Sequence, residues 1–243
     1  MALHMEELGW EDTPIGVISL RRRFEPAVGH DVYEVKIDDE FLMSSLFTVV
    51  ETELAHLGLA AAGGEDLQVL VGGLGLGYTL RAALEDQRVA QVQVVEAVSA
   101  VIDWHRRDLL PDTAGLAADP RCDLQHGDFF AQVAKGATPR AAYDVVLLDI
   151  DHSPQHVLHP SHAAFYEPAG LRRMAGLIAP GGIFALWSDD PPDPVFEGAL
   201  REVYVDVATH VVAFANPVAG GESASTVYVA RRPAGPAEAV RTH

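Results

Sequence analysis

Between residues 67 and 204, short and almost uninterrupted apolar runs alternate with segments of helical periodicity. "LQVLVGG", "VQVVEA", "YDVVLLDID" and "GGIFALWS" carry apolar residues at consecutive positions, so both faces of each strand must be covered. "CDLQHGD" is a more polar strand of the same series. Between and after the strands, "TLRAALED", "VSAVIDWHRRDLL", "FFAQVAK", "AAFYEPAGLRRMAGLIA" and "PVFEGALREVY" read as helices. Pro168 is expected to disturb the first turns of the fourth. Such a chain requires an α/β fold, a mostly parallel sheet with helices on both faces. It closes with "VDVATHVVAFAN" and "STVYVARR" around the glycine-rich "PVAGGESA", a hairpin whose last strand must run antiparallel.

Upstream, "GVISLRRRF", "DVYEVKI" and "EFLMS" read as short strands and predict a small N-terminal β-hairpin appendage. "SLFTVVETELAHLGLA" follows with Leu46, Val49, Val50, Leu54 and Leu57 at helical spacing. The expected boundaries are a hairpin region over 1–46, a Rossmann-like domain over 47–232 and a loose tail over 233–243. The opening "MALHM" is read as an added segment ahead of a natural start at Met5.

A formal charge of −18 repels phosphate backbones and anionic lipid, so nucleic acid and membrane surfaces are poor partners. A cationic or neutral small molecule fits better. Cys122 is the single cysteine, no apolar stretch reaches membrane-span length, and no basic-then-apolar signal is present. A cytoplasmic protein is the expectation.

In an open parallel sheet the ligand sits outside the carboxyl ends of the strands, where the strand order reverses. Gly73, Gly75 and Gly77 lie where the first parallel strand turns into its helix, and Glu96 ends the next strand, 19 residues after Gly77. Glycine permits positive φ and close approach of backbone to ligand, and the carboxylate is placed to hold two ribose hydroxyls. The dinucleotide pattern G-x-G-x-x-G fails in both registers, at Tyr78 and at Leu80. G-x-G-x-G suits an adenosyl sulfonium, which has no pyrophosphate. Asp128 in "HGDFF" is placed to accept from the adenine amine, to cap the following helix, or both.

Five α/β repeats with a terminal hairpin resemble the Rossmann-like sheet of class I S-adenosylmethionine (SAM)-dependent methyltransferases. From about Val32 to Arg232 the chain resembles the spermidine synthase family, through "ELAHLGL", "GGLGLGYTLR", "VVEA", "DPRCDLQHGDFF", "YDVVLLDID" and "AFYEPAGLRRMAGLIAPGGIFALWS". The resemblance implies that Gly73, Gly75, Gly77, Glu96 and Asp128 hold the nucleoside, that Asp149 stands at the reaction centre, and that the protein forms a homodimer. The chain departs from the family at Leu76, where polyamine synthases carry an acid, and at Val50–Glu51, where they carry Tyr-His. It also has Asp149, Ile150, Asp151 and His152 in place of D-S/T-S/T-D.

These departures favour methyl transfer from SAM to a small amine- or hydroxyl-bearing metabolite. Aminopropyl transfer from decarboxylated SAM and non-catalytic nucleoside binding are the alternatives. In the first reading Asp149 anchors the substrate or sulfonium side, and Asp151 or His152 acts as base. Tyr166 and Trp187 read as packing residues. His152, His156, His159 and His162 fall within eleven residues, but Pro154 and Pro160 break the segment. They read as a histidine-rich lid loop, and no metal site is assigned.

Overall fold

The apolar runs become the centre of a seven-stranded sheet, and the residues before them form a second, smaller sheet. The structure is a computed structural model and describes residues 5–13, 16–38, 40–136 and 142–235. Part of the tail expected to be loose, residues 236–243, lies outside the described residues.

The small sheet is antiparallel, with β1 (Met5–Thr13), β2 (Gly16–Glu25), β3 (His30–Ile37) and β4 (Glu40–Ser44) in sequential order. It holds one strand more than the sequence suggests. β1, "MEELGWEDT", has no apolar alternation to announce it. It forms because the arginine-rich β2 pairs with it, Arg22 meeting Glu6 at 2.5 Å. Ile18, Leu20 and Val35 of β2 and β3 join the main core, and Ser99 donates to Glu11 of β1 at 2.8 Å.

The large sheet contains β5 (Leu67–Gly72), β6 (Val89–Glu96), β7 (Cys122–His126), β8 (Tyr143–Leu148), β9 (Ile178–Ser188), β10 (Val205–Ala215) and β11 (Glu222–Arg231). Its order is β10-β11-β9-β8-β5-β6-β7. The strands from β9 to β7 are parallel, while β11 runs antiparallel to β9 and β10 antiparallel to β11. The chain enters at β5, moves outward to β6 and β7, and returns to β8 on the other side of β5. The strand order therefore reverses between β5 and β8, which opens a crevice at their carboxyl ends.

Successive strand residues face opposite layers, as their period of two demands. Val69 and Val71 pack with Leu54 of α1 (Val49–Ala61), Leu80 of α2 (Tyr78–Glu85) and Ile102 of α3 (Ser99–Arg106). Leu70 faces the other cluster, with Phe130 of α4 (Phe129–Lys135), Leu171 of α5 (Pro168–Leu177) and Phe196 of α6 (Pro194–Arg201). Each such buried side chain contributes about 1.5–3 kcal/mol, which far outweighs any single surface ion pair. Pro168 does not disturb a helix as expected. It is the first residue of α5, preceded by a separate 3-10 segment over Pro160–Phe165. A proline at that position lacks only an N–H that would have no helical partner.

Candidate active site at the carboxyl edge of the sheet

The turn after β5 takes positive φ at Gly73 (+90°), Gly75 (+50°) and Gly77 (+89°). Space enforces glycine as strictly as the backbone does. A Cβ on Gly73 would lie 2.1 Å from the Asp149 carbonyl oxygen, and one on Gly77 would lie 2.6 Å from His105 Cε1. Glu96, 8% exposed, fastens the turn from the end of β6: Oε2 accepts from the Leu74 amide at 2.9 Å and Oε1 from the Val98 amide at 2.7 Å. Burial raises the Glu96 carboxyl above the ordinary carboxylate range, and those amides oppose the rise. The Gly75 and Ala97 amides also act on this carboxylate, so four backbone donors in all hold it against the turn.

Two residues that the sequence did not single out also hold the turn. Buried His105 of α3 donates from Nε2 to the Gly75 carbonyl at 3.0 Å, and the Thr113 hydroxyl donates to the Leu76 carbonyl at 3.0 Å. Burial lowers the His105 pKa, which favours the neutral ring. The available signal was a histidine on the apolar face of "VSAVIDWHRR".

Across the crevice, Asp149 follows β8, and its Oδ2 accepts from the Thr79 hydroxyl at 2.8 Å. Burial pushes its carboxyl up to about 6, the Thr79 bond pulls it down, and the charge of Glu96 adds to the rise. Glu51, in the first turn of α1, is pushed up to about 8 by burial, then by Asp149 and, less strongly, by Asp189. Asp189 leaves β9 with its amide on the His152 carbonyl at 2.7 Å and Oδ1 accepting from Ser225 at 3.2 Å. Three acids from α1, β8 and β9 thus converge with no arginine or lysine partner among the described residues. Sequence reasoning noted Glu51 only as a departure from the family; its signal was an acid beside Val50 and three residues before Leu54 on the helix stripe.

The other candidates have different surroundings. Asp151 is 2% exposed and carries three donors: the Leu158 amide (2.8 Å) and His162 Nδ1 (2.9 Å) on Oδ1, and the Tyr166 hydroxyl (2.7 Å) on Oδ2. It ties down the loop between β8 and α5. Tyr166 is buried, and its phenol is pushed well up by that burial and then by Asp151. His152 is exposed. His156 pairs with Asp190 at 2.7 Å, His159 bonds Ser161 at 2.7 Å, and His162 stacks on Phe130 at 4.0 Å. The His159 and His162 rings also lie 5.8 Å apart, but the four histidines do not converge on one point. No group of three metal-ligating side chains occurs among the described residues. Asp128 is exposed and caps α4, accepting from the Ala131 amide at 2.9 Å. Trp187 packs on the α1 side of the sheet, its indole N–H buried without a partner.

Sheet order, glycine turn and strand-end acid define the class: a Rossmann-like α/β protein whose strand order reverses between β5 and β8. Residues 47–193 match the family model described as "Spermine/spermidine synthase domain", and the chain belongs to that family. It is similar to polyamine aminopropyltransferase 2 of Pseudomonas aeruginosa, 30% identical over 60% of this chain and 42% of that one. It is likewise similar to polyamine aminopropyltransferase of Bacillus subtilis, 30% identical over 57% of this chain and 46% of that one. The chain thus spans less than half the length of these two relatives. A spermidine synthase crystallised with the transition-state analogue AdoDATO has the same fold, with a TM-score of 0.71 at 18% identity over 93% of this chain and 73% of that one. Methyl transfer from SAM, the leading expectation from sequence, is overturned by the family match and by relatives named for aminopropyl transfer. The departures at Leu76, Val50 and Glu51 are single positions within a match that spans residues 47–193.

Proposed function

We propose that the chain is a transferase that moves an aminopropyl group from decarboxylated SAM to an amine acceptor. The observation that carries this reading is the set Glu51, Asp149 and Asp189, half-buried or near the crevice edge and without a cationic partner among the described residues. Donor and acceptor both bring positive charge to such a site. A donor that kept its carboxylate would add a further anion to an edge lined by acids, so the pocket discriminates by repulsion as well as attraction.

In this reading the Gly73–Gly77 turn lets the backbone approach the nucleoside, Glu96 accepts from the ribose hydroxyls, and Asp128 accepts from the adenine amine. Asp149 orients the reacting centre, held in place by Thr79. The acceptor nitrogen attacks the methylene beside sulfur. A C–N bond forms, the C–S bond breaks with its electron pair on sulfur, and a neutral thioether nucleoside leaves. One proton is lost from the acceptor nitrogen. The protein's contribution is alignment and management of that proton.

The test is incubation with 1,4-diaminobutane and either decarboxylated SAM or SAM, with products read by mass spectrometry. Thioether nucleoside and an aminopropylated amine should form from the decarboxylated donor alone. Methylated amine from SAM, or turnover of neither donor across a panel of amines, would overturn the proposal. Such a protein needs no membrane segment, and no described helix is long and apolar enough to cross a membrane.

A further inference from the structure

We infer that Glu51 is a catalytic residue, the group that takes the proton from the acceptor ammonium before that nitrogen attacks. This inference rests on the aminopropyl-transfer reading and assigns the proton step to a side chain that the family pattern does not supply at this position.

The geometry separates Glu51 from its neighbour. One oxygen of Asp149 is already occupied by the Thr79 hydroxyl at 2.8 Å, and that same hydroxyl lies 3.2 Å from the Glu51 backbone carbonyl. Thr79 therefore joins the start of α1 to the end of β8 and holds the two acids on one side of the crevice. Apart from its own backbone amide, the Glu51 carboxylate has no hydrogen-bond donor among the described residues, which leaves acceptor capacity for a ligand. An ammonium carries three donors, enough to bond both a carboxylate that is already oriented and one that is not.

Charge points the same way. The charges acting on Glu51 are Asp149 from β8 and Asp189 from β9, both negative. α2 and β11 bring the neutral hydroxyls of Thr79 and Ser225, while β10, which also packs on α1, contributes no charge that acts on it. Burial and these two acids give Glu51 a proton affinity far above that of an ordinary carboxylate, as a base working near neutral pH requires. The cycle balances. Arrival of R–NH3+ expels the resident Glu51 proton to solvent, and the resulting carboxylate then accepts one proton from the ammonium. The R–NH2 so formed attacks, and the sulfonium charge reappears on the product ammonium. One proton is released per turnover.

Two measurements on the full chain test this, with Glu51→Gln as the variant and Glu51→Asp as the charge-retaining control. First, titration calorimetry with 1,4-diaminobutane near pH 7, run in two buffers of different ionisation enthalpy, reads protons released on binding. Wild type should release close to one, Glu51→Gln none, and Glu51→Asp should recover part. Second, the pH profile of kcat/KM should rise with pH in wild type through deprotonation of one group. In Glu51→Gln that limb should vanish and the rate at pH 9 should fall about 10²-fold or more, with Glu51→Asp restoring part of both. If wild type transfers aminopropyl groups while Glu51→Gln keeps both the limb and the proton release, the role of Glu51 is refuted and the function stands. If neither donor is turned over by wild type, the functional reading fails and takes the proton step with it.

Discussion

Glu51→Gln should make the unliganded protein more stable at high pH. The folded protein holds this carboxyl at about 8 against 4.5 for an ordinary glutamate. A group whose affinity for protons is raised by folding contributes fully below its unfolded pKa and loses that contribution as pH rises through the folded value. The stability of wild type should therefore fall between about pH 4.5 and 8, with Asp149 adding a decline between about 3.8 and 6. The shift from 4.5 to about 8 corresponds to roughly 5 kcal/mol if nothing screens it. Glu51 retains partial exposure and shares its effect with Asp149, which reduces the figure to about 1–3 kcal/mol. Glutamine has the same shape and no charge. At pH 9 the variant should melt on the order of 5 °C higher than wild type, and at pH 4 the two should coincide. Differential scanning calorimetry across that range is the assay. An identical gap at both pH values, or no gap at pH 9, would refute the picture of Glu51 as a half-buried acid facing uncompensated charge.

Two further substitutions probe the rest of the edge. Glu96→Ala strips the Leu74 and Val98 amides of their acceptor and should cost about 2–4 kcal/mol, since hydrogen bonds to a charged group are worth about 1.5–3 kcal/mol each before water enters. Nucleoside affinity measured by calorimetry should be lost in the variant, and wild-type affinity would remove the ribose assignment. Asp151→Ala leaves the Leu158 amide, His162 and the Tyr166 hydroxyl without an acceptor, so limited proteolysis between residues 152 and 165 should accelerate at least tenfold; unchanged cleavage would show that Asp151 does not fasten the loop.

Much of this protein could be read locally. The strands from β5 to β9 follow from runs such as "VVLL", and the glycine turn and Glu96 follow from their places at strand ends. β1 escaped because an acidic, exposed strand exists only where its arginine-bearing neighbour β2 offers a ladder. The effect of Pro168 depends on whether it falls inside a helix or at the first position of one, which the local sequence does not distinguish. Leu76, Val50 and Glu51 point toward methyl transfer only as isolated positions, whereas family membership is carried collectively by residues 47–193.

The amino-acid sequence by itself determined a parallel α/β sheet, the glycine turn after its first strand and the acids at its strand ends, because periodicity and turn chemistry act over a few residues. Only the tertiary structure decided which groups those acids meet. It set Glu51 beside Asp149 and near Asp189, almost a hundred and then forty residues further along the chain, and it turned Asp151 into the anchor of a loop. It also aimed His105 at the Gly75 carbonyl. Desolvation and Coulomb interaction depend on which groups meet in space and how much water is left between them, and distance along the chain carries no record of either.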